Sequence, residues 1–593
     1  MAEQPREWVR VPVGDDASRW TTRGLCRRVL LVVHNVTAAT RLLDVFPLFR
    51  DDLRVQLLAS CTGSSPFQSG VKELLDSIGV PVLPWEQAVS TPVDLAISAS
   101  LGGQLASIRG ELAVISHGIG YNKTLRPVSG APGDNPVFGL APEWLLADGK
   151  PIADALVFSH PEQIERLNAA CPEAVPTAVL GGDPCFDRIL AARRHRERYR
   201  RALGVRQGQR LVLLNSTWNP DSLFGDRGSD DVLPLILRRL TSDLPVDEYR
   251  VAAVLHPNIW AGHGPGQVRL WLDRARRAGL AVVDPLAGWR QALLAADLVI
   301  GDFGTVSYYA AALGTPVLLG SASLDGLGPT SPVAEFVRTA PRLDPYAPLL
   351  PQFEHQLATH RPPRGPAEMT TSAPGQSASL LRSLFYGMIG IPEPSGPALL
   401  DPLPLPPYEP APHTAPLRVI TRVGEDGAVE VRRYSEPPAE PDGPGESHLA
   451  VHEDSLDPGM LDLADIIWRQ GEAHDPRLGP PQQWAAEILA HYPGCSLAAY
   501  VTGPRTCAVR HRNGLRGELS GHPGADPALY ASAFLAHAAS GATGEFTVRT
   551  GTGEHRIRSR LSGQALPADD IKVVEVDGGL LSAEERSGLI DQP

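Results

Sequence analysis

Three histidines, His34, His117 and His256, each fall just after a run of apolar residues that reads as a buried strand. A lone histidine in such a place is ordinarily a hydrogen-bonded structural residue. Three of the seventeen histidines at strand ends point instead to a site. An imidazole titrates at about pH 6.5, so it can take or give a proton at neutral pH. The other polar residues at strand ends are Asn35, Gly118, Gly182 with Asp183, Ser216 with Thr217, Asn258, and Asp302 with Gly304 and Thr305. That last group sits in Leu-Val-Ile-Gly-Asp-Phe-Gly-Thr-Val at 298–306, which reads as strand, small-residue turn and helix start. Gly304 lets a ligand approach the backbone closely, and Thr305 is placed to cap the helix. The unpaired N–H groups and positive dipole end of such a start suit a phosphate.

Glycines beside His117 keep its loop open, so the imidazole can meet a substrate hydroxyl and take its proton. Lys123, further along the same loop, is a candidate phosphate contact, although a loop lysine is otherwise simply solvated. Gly182, Asp183 and Asp187 lie where two halves of the chain join. They read equally as ligand contacts or as a hinge turn that opens a helix.

The elements that must position these residues follow from the apolar pattern. Residues 29–33, 54–59, 94–98, 112–115 and 155–158 are short apolar runs, the pattern of strands spaced by helices. Strands apolar on both faces belong to a parallel sheet covered on both sides. The pattern restarts with strands at 211–214, 251–255 and 280–283 and helices at 232–240, 268–278 and 289–296. The expected fold is α/β, with two doubly wound Rossmann-like domains facing a cleft and ligands beyond the carboxyl ends of the strands. The expected organisation is a tail over 1–24, a first domain over 25–185 and a second over 186–390 with a return helix at 377–388. A Pro-rich linker over 391–416 and a C-terminal part over 417–593 follow. That last part reads as a hairpin at 417–434, a loose acidic stretch at 435–447 and a small α+β module. The module's expected helices lie near 463–468, 482–491 and 528–538, and its strands near 496–501, 507–512, 545–549 and 555–560. It carries no catalytic pattern, and a protein partner for it stays open. Residues 8–13 read either as a short strand or as part of the tail.

Charge narrows the partners. A formal net charge of −13 over 593 residues argues against nucleic acid and against unaided adhesion to an anionic membrane. No apolar run approaches the roughly 18 residues of a spanning helix, and the N-terminus has no secretory pattern. A cytoplasmic protein, at most peripheral at the membrane, is the expectation. The six cysteines have no CxxC pairing, so neither a metal site nor a disulfide framework is expected.

Together the motifs resemble those of the CDP-glycerol glycerophosphotransferases of teichoic acid synthesis, which have the GT-B fold. Their His-Gly, Gly-x-Pro-x-x-Asp, His-Pro and Asp-Tyr-Ser-Ser patterns correspond to His117-Gly118, Gly182 to Asp187, His256-Pro257 and Asp302 to Thr305. The resemblance covers about residues 29–319. It implies that His117 activates an acceptor hydroxyl, that His256 holds or protonates a pyrophosphate, and that Thr305 with its helix N-terminus cradles it. Asn258, Asp302, Gly304, Ser216 and Thr217 would then face the donor, and His34, Asn35, Gly118, Lys123, Asp183 and Asp187 the acceptor side. A nucleotide-activated donor would be a substrate, with no further cofactor. Gly304 and Phe303 depart from the pattern, each lacking a hydroxyl found in the family. Two other readings keep the same fold: a UDP-sugar epimerase or hydrolase, and a non-catalytic nucleotide-binding or scaffold protein.

Overall fold

The computed structural model describes residues 8–116, 118–124, 136–227, 231–407, 413–435, 445–522, 524–542, 544–551 and 553–562. Strands made of valine, leucine and alanine must be covered on both faces, and the chain uses them to build two parallel sheets. The first holds β1 (Arg27–Val33), β2 (Val55–Cys61), β3 (Val82–Leu83), β4 (Leu95–Ser98) and β5 (Glu111–Val114). A short hairpin, β6 (Leu146–Ala147) and β7 (Lys150–Pro151), then precedes β8 (Ala155–Phe158) and β9 (Ala178–Leu180). Its order is β3-β2-β1-β4-β5-β8-β9, with parallel pairing throughout. The second sheet holds β10 (Arg210–Ser216), β11 (Tyr249–Leu255), β12 (Ala281–Val282), β13 (Leu298–Gly301) and β14 (Val317–Leu319). Its order is β12-β11-β10-β13-β14, again all parallel.

Each sheet reverses its order beside its first strand, so a crevice opens at the carboxyl ends of β1 and β4 and again at those of β10 and β13. This is the GT-B arrangement expected from the sequence. The helix Ser377–Met388 returns to the first sheet and buries Leu381, Phe385 and Tyr386 in its core. Three residue pairs are among the contacts that tie the lobes across the cleft. Arg290, on the second-lobe helix Trp289–Ala295, donates to both oxygens of Asp44 on the first-lobe helix Val36–Val45, at 3.0 and 2.7 Å. The Gly328 N–H donates to the Asn122 carbonyl at 2.7 Å, and the Thr124 N–H to that of Gly326 at 2.9 Å.

The C-terminal part departs from expectation. Hairpin and module are one closed barrel of nine strands. These are β15 (Leu417–Val423), β16 (Val429–Tyr434), β17 (Glu446–His452), β18 (Ile466–Gln470), β19 (Leu497–Gly503), β20 (Thr506–His511), β21 (Arg516–Ser520), β22 (Phe546–Thr550) and β23 (Gly553–Ser562). Helix Pro527–Ala539 packs into the barrel core through Leu529, Tyr530 and Phe534, which explains why it is apolar nearly all round. Residues 466–468, expected as the end of a helix, belong to β18, because so short an apolar run carries no period to separate helix from strand. Residues 446–447, expected in the loose stretch, open β17. Among the described residues, no helix is long and apolar enough to cross a membrane.

Candidate functional site

A cavity of about 350 Å³ lies between the two sheets, where both sets of strand ends meet. From the first lobe come Asn35, Thr37, Arg41, Gly118, Asn122 and Lys123. From the second come Thr217, Trp218, His256, Asn258, Gly304 and Thr305. Its described lining carries two fixed cations, Arg41 and Lys123, and no aspartate or glutamate. In a chain with a formal charge of −13, a carboxylate-free cleft with two cations is electrostatically suited to an anion.

His256 caps the helix Pro257–His263, its Nδ1 accepting from the Asn258 N–H at 3.1 Å. That bond places the proton of the neutral ring on Nε2, so His256 is a hydrogen-bond donor there. Thr305 is the first residue of helix Thr305–Ala312 and not its cap, a correction to the sequence reading. Gly304 holds the cap position with no side-chain cap bond, which leaves the first N–H groups without an intrahelical partner. A Cβ on Gly304 would lie 3.1 Å from that of Thr217 and 3.0 Å from the Asp302 carboxylate, so the family's serine does not fit without a shift. A Cβ on Gly118 would come within 3.1 Å of the Thr305 hydroxyl, so the first-lobe loop reaches the second-lobe helix start. Lys123, half-buried, sets its ammonium 5.2 Å from the centre of the Trp218 ring. Burial pulls its pKa down, partly offset by the charge of Asp302.

Several residues singled out in the sequence lie elsewhere. Asp302 is fully buried beneath the cavity and not in its lining. Its Oδ2 accepts from Ser216 Oγ, Thr217 N and Leu223 N at 2.9 to 3.1 Å, and its Oδ1 from Gly304 N at 2.9 Å. Burial raises its pKa despite those donors. The carboxylate therefore clamps the turns that present Thr217 and Gly304. In Asp302→Asn the amide nitrogen faces a donor whichever way it turns. A loss of about 1–3 kcal/mol is expected by urea unfolding. Ser216 serves the same clamp, although it reaches the lining. His34 is buried outside the lining, its Nε2 on the Gly102 carbonyl at 2.5 Å, and burial lowers its pKa. Asn35 lines the cleft and caps helix Val36–Val45 through the Ala38 N–H.

Asp183 caps helix Pro184–Ala192 and faces a smaller adjoining cavity, where Tyr309 donates to its Oδ2 at 2.5 Å. Asp187 holds the start of the return helix, accepting from Gly375 N at 2.6 Å and Ser377 N at 3.0 Å. The hinge-turn reading fits both of these residues. His117 lies outside the described residues. Arg41, Thr37 and Trp218 line the site without having been singled out. Thr37 and Arg41 stand four apart on the helix after β1, a spacing that puts them on one face and was available in the sequence.

No family model matches the chain, and no curated protein matches it in sequence. Among solved structures, the wall teichoic acid polymerase TagF is similar at 12% identity and a TM-score of 0.40, covering 61% of this chain and 89% of that one. UDP-GlcNAc 2-epimerase from Methanocaldococcus jannaschii is similar at 11% identity and a TM-score of 0.40, covering 61% and 100%. The Neisseria meningitidis enzyme of that name gives 11% identity, a TM-score of 0.37, and 61% and 99% coverage. The role of each side chain in this cleft has to come from its own geometry.

Proposed function

We propose that the cleft binds a nucleotide-activated donor and passes its glycerol-phosphate or glycosyl group to a hydroxyl acceptor, as in cell-envelope polymer synthesis. The observation that carries this reading is the carboxylate-free lining, with Lys123 and Arg41 opposite the donor groups of His256 and the helix start at Thr305. Such a site neutralises a diphosphate through fixed donors and charges that need no rearrangement as charge develops. In the phosphoryl version, the acceptor oxygen forms a new bond to the distal phosphorus and the bond to the nucleoside monophosphate breaks. The acceptor proton passes to a base, a role the resemblance gives to His117. His256 Nε2–H steadies the departing phosphate. Catalysis of this kind rests on positioning and charge more than on covalent intermediates. The epimerase or hydrolase reading needs carboxylates to act on the sugar, and the described lining supplies none. A cytoplasmic setting, at most peripheral at the membrane, belongs to the same proposal.

A panel of cytidine, uridine and guanosine diphosphates should raise the melting temperature for one base, by linkage to the folded state. Release of the matching monophosphate from an activated donor should fall at least about 100-fold in His256→Ala, with nucleotide binding retained. If no nucleotide shifts the melting point and no donor in the panel is cleaved, the scaffold reading replaces this one.

A further inference from the structure

Three side chains of the first-lobe wall hold buried polar atoms without a hydrogen-bond partner among the described residues: Thr37 Oγ1, Arg41 Nε and Nη1, and Asn122 Oδ1. All three residues line the cleft. Buried polar atoms in native proteins are nearly always paired, so a cluster on one cavity wall indicates a partner that arrives from outside.

The charges around Arg41 point the same way. Arg41 is 7% exposed, and its nearest carboxylate, Asp44, is 3.6 Å away, beyond hydrogen-bond reach. Asp44 is already engaged by Arg290 on both oxygens and by Arg188 on one. The other groups facing Arg41 are Asp183, Cys185 and Tyr309. Burial holds the Cys185 thiol and the Tyr309 phenol protonated, and Asp183 spends its oxygens on Tyr309 and the Phe186 N–H. Three guanidinium groups thus share two carboxylates, even with Asp183 counted as ionised. Asp44 and Asp183 offset the Arg41 charge at a distance, but no carboxylate hydrogen-bonds it, and arginine cannot relieve the cost of burial by losing its proton.

We infer that Thr37 and Arg41 form an oxyanion seat on the first-lobe wall that takes a phosphate-class group of the substrate, with Asn122 Oδ1 accepting from a neighbouring hydroxyl. The seat stands apart from the helix start at Thr305 across the cleft. It rests on the transferase reading only for the origin of the phosphate, which is either the donor's diphosphate or an anion carried by the acceptor.

The test uses the full chain, with inorganic pyrophosphate titrated by calorimetry and the melting temperature read with and without it. Arg41→Met keeps the bulk and removes the charge. The unliganded variant should melt no lower than the wild type, and its pyrophosphate affinity should fall at least about tenfold, the size of a lost charge-assisted hydrogen bond. A variant that melts several degrees lower and binds pyrophosphate like the wild type would make Arg41 a structural partner of Asp44 and overturn the proposal. Wild-type protein that binds neither pyrophosphate, CDP nor glycerol phosphate at millimolar concentration also overturns it. Should Arg41→Met fail to fold, Arg41→Lys decides. Unchanged affinity in it refutes the seat, and a loss of about fivefold or more supports it, since lysine keeps the charge but not the planar fork. Loss of CDP binding in the variant assigns the seat to the donor, and loss of glycerol phosphate alone assigns it to the acceptor. Pyrophosphate carries no base or sugar, so this result stands even if no nucleotide donor is turned over. Full transferase activity in Arg41→Met would sink the seat and leave the transferase reading intact.

Discussion

Asp44→Asn is expected to lose about 3–5 kcal/mol of stability, the size of a buried ion pair broken by removing one partner. Asp44 is fully buried, and its oxygens take Arg290 at 3.0 and 2.7 Å, Arg188 on one oxygen, and Arg41 at ion-pair distance. Asparagine has nearly the same shape but no charge. Arg290 and Arg188 would then lose their carboxylate, and Arg41 would keep only Asp183, which does not hydrogen-bond it. The damage is not local, because Arg290 belongs to the second lobe and Arg188 to the helix Pro184–Ala192 that leads from one lobe to the other. The cleft should therefore loosen as well as the fold. Urea unfolding gives the energy, and the signature is its pH dependence. Burial works to raise the Asp44 pKa, but Arg290, Arg41 and Arg188 bring it below the ordinary carboxylate value. A lowered folded pKa gives stability that is fully present above about pH 4, the unfolded value, and lost as pH falls through the folded one. The variant should lack that part of the acid loss. Equal acid sensitivity in both proteins would show that Asp44 is not the group that matters.

The two-sheet fold was legible because double-sided burial leaves so plain a mark. Residues 29–33 and 211–214 contain no polar residue, since β1 and β10 are central strands with neighbours on both edges and helices on both faces. The strand ends gave part of the site for the same reason: the chain leaves the sheet there, and polar residues reappear. Position alone does not say which way a side chain turns. His34 follows β1 as His256 follows β11, yet His34 spends its Nε2 on a backbone carbonyl beside the cleft while His256 lines it. Asp302 looked like a ligand contact because it stands in the turn, but its backbone and hydroxyl donors draw it under the cavity floor. Arg41 was overlooked for the opposite reason. An arginine on an amphipathic helix reads as a solvent-facing residue, and only the tertiary fold, with Trp289 5.6 Å from its guanidinium, encloses it. The barrel's β16–β22 pairing joins residues more than a hundred positions apart, which no local pattern announces.

Arg433→Met should cost a comparable amount and should flatten the acid dependence of stability. Arg433 is 2% exposed in β16, where it donates to both oxygens of Asp247 at 2.8 and 2.7 Å and to Asp526 at 2.7 Å. Asp247 belongs to the second lobe, and the Val246 N–H beside it donates to the Arg433 carbonyl at 2.9 Å, so this one side chain fastens the barrel to the lobe. Asp526 in turn caps the barrel's central helix through the Ala528 N–H at 3.1 Å. Methionine would fill the space but leave the Asp247 and Asp526 carboxylates near each other, with Arg206 at 3.4 Å from Asp526 as the nearby cation. In the wild type, burial tends to raise the Asp526 pKa, yet Arg206 and Arg433 hold it well below the usual range. Acid therefore weakens this joint. In the variant Arg206 and the Ala528 N–H still lower the Asp526 pKa, but the part that Arg433 supplies is gone. The variant should therefore lose less stability than the wild type as the pH falls through about 4, the unfolded carboxylate value. Hydrogen exchange should place the loss in β15, β16 and the Val246 amide, with the first sheet unaffected. A variant that exchanges uniformly faster in both lobes and the barrel would show that Arg433 supports the whole fold and not the joint.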